Sequence, residues 1–293
     1  SKSKISTLIC SDNKLTNIDL SSAPNMRSLY CQNNELTTLD LNACKLLNDL
    51  NCSNNKISKI KVTESTHPQI ENLNLADNGM TSNTGTGSSF RMSNLNLQHL
   101  DFSNNKFKSL SLPDSTNLDV LKFANNEITT MALKNAYHLS VLMCSDNGVK
   151  RVTFHKDGMP KMRQLFADGN EIADLDVSQS TQLHYLSVEN NVLTSVGLPE
   201  RHTLYAYACG GNKLTFSSLP GKASMPEHIS YVPQDENVDI TDFLKKNASR
   251  HYFMQLAPDY SDRNNEKYLL DLSSLAWDPD NKKVCLLYTS DAA

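Results

Sequence analysis

The sequence predicts an α/β-type solenoid: a curved, concave sheet of short parallel strands made by about ten coils, with a convex side of loops and short 3₁₀ turns. Three observations predict it. An asparagine recurs at Asn13, Asn34, Asn55, Asn78, Asn105, Asn126, Asn147, Asn170, Asn191 and Asn212, with successive spacings of 21, 21, 23, 27, 21, 21, 23, 21 and 21 residues. Apolar columns keep fixed offsets from that asparagine. Two of those columns are two residues apart, the spacing that puts side chains on one face of a strand. A period in this range marks a stacked-repeat architecture.

Each position of the repeat has a physical reason. Eight residues before the asparagine stands an apolar residue, from Ile5 and Met26 to Leu204. Five before it stands Leu8, Leu29, Leu50 and their equivalents up to Tyr207; three before it stands Cys10, Cys31, Cys52, Leu75, Phe102, Phe123, Cys144, Ala167, Val188 or Cys209. Another apolar residue follows two after the asparagine, and later pairs such as Ile18/Leu20, Leu39/Leu41 and Leu175/Val177 close the coil from the opposite wall. One coil cannot bury its own apolar wall, whereas stacked coils share a continuous core. The asparagine sits where the chain leaves the strand. Its amide both donates and accepts, and so satisfies backbone groups that the bend leaves unpaired.

This pattern resembles the leucine-rich-repeat family over residues 5–219. With cysteine three before the asparagine, and LTNIDL at 15–20 or LTTLDL at 36–41, it is similar to repeats of Bacteroides-type bacterial surface proteins and to the internalin group. The resemblance implies a binding module, and says more about fold than about function. The paired Leu-Pro steps of bacterial ubiquitin-ligase effectors do not occur in the repeats.

The breaks in the pattern set expectations of their own. The longest spacing holds TSNTGTGSS (81–89), a composition that predicts a flexible loop bulging from the back or edge. His67 and His155 lie in the two slightly longer coils, each with a proline just before the next strand, and are read as solvated loop histidines. After Leu219 the repeat stops. Residues 1–219 form the solenoid, and 220–284 are read as a linker and the start of a truncated C-terminal β domain. Within that stretch ITDFLKK (240–246) predicts a short helix, and YLLDLSSLAW (268–277) reads as extended. YVPQ (231–234) resembles the lead-in to an immunoglobulin-like sandwich in the same surface proteins. Residues 285–293, CLLYTSDAA, resemble translated sequencing adapter and are set aside as an artefact. At the other end, Ile5 already occupies the first repeat position behind four polar residues, so the natural protein is expected to begin earlier and any export signal to lie outside this sequence.

Composition narrows the function classes. With 28 basic and 32 acidic residues the net charge is −4, too balanced for nucleic acid to be drawn by the overall field, and no partner of that class is expected. No run approaches the apolar length of a membrane span, so no membrane insertion is expected of this segment. Five of the seven cysteines share one inward column, where a thiol behaves as a small hydrophobe; Cys44, in the turn LNACKLL, stands apart. Phosphate-loop, zinc-helix and nucleophile-elbow motifs do not occur. The reading is therefore not an enzyme, with no catalytic residue, no cofactor and no metal. Asp19, Asp40 and Asp176, between core residues of LDL steps, read as solvated surface.

A ligand is expected on the concave sheet. Residues six, four and two before each asparagine alternate with the core columns and point outward. Early repeats present mostly polar groups there, among them Asn51, Asn72, Asn74 and Asp101. From the sixth repeat the face turns apolar, and Val120, Lys122, Val141, Met143, Phe166 and Tyr185 are the candidate ligand-binding residues. The expected partner is a protein or glycan, and the expected setting is extracellular or the cell surface of a bacterium. A structural stalk presenting another domain is the alternative.

Overall fold

The structure, a computed structural model, describes residues 3–63, 65–84, 87, 89–91, 96–112, 117–133, 136–154, 158–200, 204–214 and 226–230, and four short strands beyond them. In chain order the strands are β1 (Thr7–Ile9), β2 (Ser28–Tyr30), β3 (Asp49–Asn51), β4 (Asn72–Asn74), β5 (Ser89–Arg91), β6 (His99–Asp101) and β7 (Ser109–Ser111). There follow β8 (Val120–Lys122), β9 (Thr130–Leu133), β10 (Val141–Met143), β11 (Arg151–Phe154), β12 (Gln164–Phe166), β13 (Leu175–Asp176) and β14 (Tyr185–Ser187). The last are β15 (Val196–Gly197), β16 (Ala206–Ala208), β17 (His228–Ser230), β18 (Leu256–Pro258), β19 (Tyr268–Leu270), β20 (Leu275–Asp278) and β21 (Lys283–Leu286).

Eleven of these make one parallel sheet in the order β1-β2-β3-β4-β6-β8-β10-β12-β14-β16-β17, one strand per coil. The register keeps the repeat aligned, with Leu29 beside Leu50 and Leu142 beside Leu165. The central residue of each strand points inward and its two flanks outward, because side chains alternate across a strand. Leu29, Leu47, Cys52, Leu75, Phe102, Phe123, Leu142 and Leu165 are at most 1% exposed. The core is one continuous column of such residues along the solenoid.

The asparagine column acts as a ladder. Asn55 Nδ2 donates to the carbonyls of Cys31 (3.0 Å) and Cys52 (3.1 Å), while its Oδ1 accepts from the amide of Leu36 (3.0 Å). Asn191 does the same with Ala167 (2.9 Å), Val188 (3.1 Å) and the amide of Ile172 (3.0 Å). Each amide thus joins its own coil to the preceding one. The Asn13 side chain, in the first described coil, bonds only within it, to the carbonyls of Cys10 and Ser11, and is exposed.

A second ladder runs one residue earlier. Asp12, Asn33, Asn54, Asp77, Asn104, Asn125, Asp146 and Asn190 have φ between 49° and 59°, and Gly169 and Gly211 take the same place in their coils. Left-handed backbone favours Gly, Asn and Asp, so every coil carries one of these three. Asn33 Nδ2 donates to Asp12 Oδ1 (2.7 Å), and Asn54 Nδ2 to Asn33 Oδ1 (2.9 Å). Where glycine stands, a Cβ would meet the neighbouring ladder oxygen, at 2.4 Å from Asp146 Oδ1 for Gly169.

The convex wall is mostly turns, as expected. Among the described residues it consists of turns and three two-stranded parallel ladders, β5–β7, β9–β11 and β13–β15, with no 3₁₀ segment. Asp19, Asp40 and Asp176 stay exposed there, and each accepts the amide two residues on at 2.9 Å. They are turn caps as well as surface.

Four expectations need correction. His67 is 1% exposed, in a buried column three residues before the first core column, with Ala23, Cys44, Ala136, Met159 and Ser180. The Thr63–Thr66 turn takes up the extra residues of this coil and rotates the ring inward, where Nε2 lies 3.3 Å from the Leu41 carbonyl. Cys44 belongs to that column and is no isolated turn residue. The 81–89 insertion is anchored: Asn83 is fully buried and bonds Val62, Arg91 and the Arg91 amide, and the adjoining Phe90 enters the core. Finally, the sheet runs past residue 219, because β17 pairs in parallel with β16. His155 and the 240–246 segment lie outside the described residues.

Beyond the solenoid, β18 pairs antiparallel with β19 and β20 with β21. Tyr268–Leu270 and Leu275–Asp278 are extended, as the sequence of that stretch predicts. Cys285 and Leu286, the first residues of the segment set aside as adapter, pair with Ala276 and Leu275 in the β20–β21 ladder.

Candidate functional site

The outward residues of the main sheet form two rows. One runs Ser28, Asp49, Asn72, His99, Val120, Val141, Gln164, Tyr185, Ala206, His228; the other Tyr30, Asn51, Asn74, Asp101, Lys122, Met143, Phe166, Ser187, Ala208, Ser230. Neighbouring strands are about 4.8 Å apart, so side chains in one row touch.

The first half of this face is a self-satisfied polar surface. Asn72 Nδ2 donates to Asp49 Oδ1 and its Oδ1 lies against His99 Nδ1, both at 2.5 Å, and Ser28 Oγ reaches Asp49 at 3.4 Å. The second half is apolar. Val120 stands beside Val141 and Met143 beside Phe166, and all four are half-buried in the trough. Of the candidate residues these four come together. Lys122 completes the group as a neighbour of Met143, and its ammonium meets no partner among the described residues. Tyr185 pairs with Gln164, and its ring lies 5.7 Å from that of Tyr205. Asp168 already accepts from Ser187 Oγ (2.6 Å) and the Glu189 amide (2.8 Å), and Glu189 accepts from Ser230 Oγ (2.7 Å). The acidic border of the patch is therefore held in place before any partner arrives.

The two columns along the strand-entry rim, seven and nine residues before the asparagine, escape a reading confined to strand faces. A groove of about 740 Å³ runs there past Gln98, Asp119, His138, Ser140, Lys161 and Arg163. Beyond it the His184 and Tyr205 rings stack nearly parallel (16°, centroids 5.6 Å apart), and His228 meets Tyr205 edge-on at 4.7 Å. The signal in the sequence is the run Arg163, His184, Tyr205 at one fixed offset from the asparagines.

The thiols are unsuited to chemistry. Burial pushes Cys31 and Cys209 up to about 12, and Cys52 and Cys144 are raised for the same reason. Such thiols stay protonated and poorly nucleophilic. The six described cysteines are free, with Cys10, Cys31 and Cys52 in successive coils of one column. Among the described residues no cluster of His, Cys, Asp and Glu is arranged to hold a metal ion, and no helix is long and apolar enough to cross a membrane.

Comparison with known proteins bears on the fold. The Leucine Rich Repeat family matches residues 96–118. No curated protein sequence matches the chain. Among solved structures, the functional domain of InlJ from Listeria monocytogenes, described as including a cysteine ladder, is 23% identical with a TM-score of 0.57; the match covers 81% of this chain and 60% of that one. A Leptospira interrogans leucine-rich-repeat protein is 18% identical with a TM-score of 0.59, covering 72% of this chain and 56% of that one. A chain of the LRIM1/APL1C complex is 22% identical with a TM-score of 0.55, covering 73% and 45%. The chain thus spans less than two thirds of the length of each of these structures. What it shares with them is a fold, and on the repeat, the parallel sheet and the asparagine ladder together this chain is a leucine-rich-repeat solenoid, similar in structure to the internalins.

Proposed function

We propose that the solenoid binds a protein partner on its concave face, as a module of a secreted or cell-surface bacterial protein. The observation that carries this reading is the apolar trough of Val120, Val141, Met143 and Phe166, with the unpartnered Lys122 at its edge. Outward apolar side chains clustered on adjacent strands have no use in keeping a surface soluble. An apolar centre inside a polar border is the usual energetic centre of an interface. Leucine-rich-repeat domains in general serve protein binding, and the LRIM1/APL1C complex is one such assembly. The buried, protonated cysteines are compatible with an oxidising exterior, since oxidants reach thiolates that are exposed.

The test is an array of bacterial and host surface proteins probed with the native chain, with Met143→Ser/Phe166→Ser, and with Asn51→Ala/Asn74→Ala. Partners of the native chain are expected to be lost with the first variant and retained with the second. Partners indifferent to the Met143/Phe166 change would move recognition off the trough. An array without partners would favour the alternative, a stalk that presents another domain.

A further inference from the structure

We propose that the rim groove is a separate binding site for an acidic oligosaccharide, independent of the reading of the concave face. The groove passes the entry ends of five strands, β6, β8, β10, β12 and β14, a span of about 19 Å at the usual strand separation. That length suits a chain of several sugars better than a single ring. Its floor carries two exposed cations, Lys161 and Arg163, and among the described residues neither has a carboxylate partner. Lys161 Nζ stands 2.8 Å from His138 Nδ1, which must accept; the neutral ring then carries its proton on Nε2 and presents a donor outward. Asp119, the carboxylate of the groove, is engaged by Ser140 Oγ at 2.5 Å. The site is thus rich in donors and short of acceptors, which suits carboxylate and hydroxyl oxygens.

The aromatic extension gives the ligand its class. His184 and Tyr205 stack with near-parallel rings, and the Tyr205 hydroxyl is fixed by His228 Nε2 at 2.9 Å. An aromatic stack beside amides and a guanidinium suits a pyranose, whose C–H face packs on a ring while its edge hydroxyls take the polar groups. A simple inorganic anion would need the cations but gain nothing from the rings. A peptide would need an apolar pocket for an anchoring side chain, and the groove lining of Gln98, Asp119, His138, Ser140, Lys161 and Arg163 offers none.

The experiment is calorimetric titration of the whole chain with tetragalacturonate, sialyllactose and a hyaluronan tetrasaccharide. Methyl-esterified tetragalacturonate, hexaglutamate and inorganic sulfate serve as controls. At least one acidic sugar is expected to bind, about tenfold or more tighter than the ester, the usual difference for losing charge-assisted hydrogen bonds. Lys161→Ala/Arg163→Ala and Tyr205→Ala should each lose that binding, with melting temperatures checked to show that the solenoid is intact. Met143→Ser/Phe166→Ser should retain it, so this site and the concave one fail separately. Absence of binding by all three sugars overturns the proposal. So does equal binding of hexaglutamate or sulfate, which would reduce the groove to a patch of charge, or indifference to both rim variants.

Discussion

At the scale of single residues, two buried polar side chains carry opposite lessons. Asn191 is 6% exposed and closes two hydrogen bonds to the preceding coil and one within its own. Asn191→Ala leaves those backbone groups unpaired in the interior, and is expected to cost about 1–3 kcal/mol in denaturant unfolding. Asn51→Ala, on the solvated face, should cost less than about 1 kcal/mol, because water replaces what the amide gave. Equal losses would mean that inward and outward columns have been exchanged. His67 is buried for a different reason, as one link of the convex column. Desolvation holds its pKa below the ordinary 6.5, outweighing the hydrogen bond to the Leu41 carbonyl, and Lys45 lowers it further. The unfolded chain therefore takes up a proton near pH 6.5 that the folded chain refuses. Stability is full above that value, falls as the pH drops from about 6.5 toward the lower folded pKa, and levels off below it. The urea midpoint of the native chain should fall more between pH 7.5 and 5.5 than that of His67→Gln. Equal falls in the two proteins would locate the acid sensitivity elsewhere.

At the scale of elements, the coil with the insertion shows what could and could not be read from letters. Core columns are legible because they repeat: a leucine at a fixed offset in coil after coil needs no structure to be placed inside. Phe90 stands at no fixed offset from an asparagine, next to a Gly/Ser/Thr run, and nothing in its local sequence says that it pairs with Leu110 and enters the core. It stacks on Phe102 at 4.3 Å and meets Phe107 edge-on, while Phe102 stacks on Phe123. The insertion thus supplies a ring that coils of ordinary length do not. Phe90→Ala is expected to destabilise the chain by about 3–5 kcal/mol, as for a fully buried phenylalanine. A change near zero in thermal unfolding would return the insertion to the status of a loop. His67 was illegible for the same reason, since its column is marked by small or middling residues such as Ala23, Cys44 and Ser180, which carry no periodic apolar signal. The concave trough was legible as a list of outward residues. Its grouping was not: the Tyr185 ring meets those of His184 and Tyr205 edge-on, a contact that strand alternation leaves open. The rim groove lay off the strands altogether.

At the scale of the whole molecule, stability is a sum of coils and the contacts between neighbours. The first described coil has one neighbour. Ile5 is 51% exposed, Leu8, Cys10, Leu15 and Ile18 are only partly covered, and the Asn13 side chain bonds only carbonyls of its own coil. Amide exchange should therefore be fastest over residues 3–20 and slowest in the central coils, where each strand is flanked on both sides. Uniform protection along the solenoid would show that the first coil is as stable as the rest.

The parallel sheet has one further consequence, and it is mechanical. Hydrogen bonds between strands lie along the direction in which the coils stack, so a pull on the two ends loads one interface after another and does not shear all of them at once. The coil at an end gives way first. Each coil occupies about 4.8 Å of the stack, yet its 21 residues extend to about 70 Å once released. Under tension the solenoid would lengthen in steps, roughly fifteenfold per coil, yielding at an end while the apolar trough in the middle kept its shape.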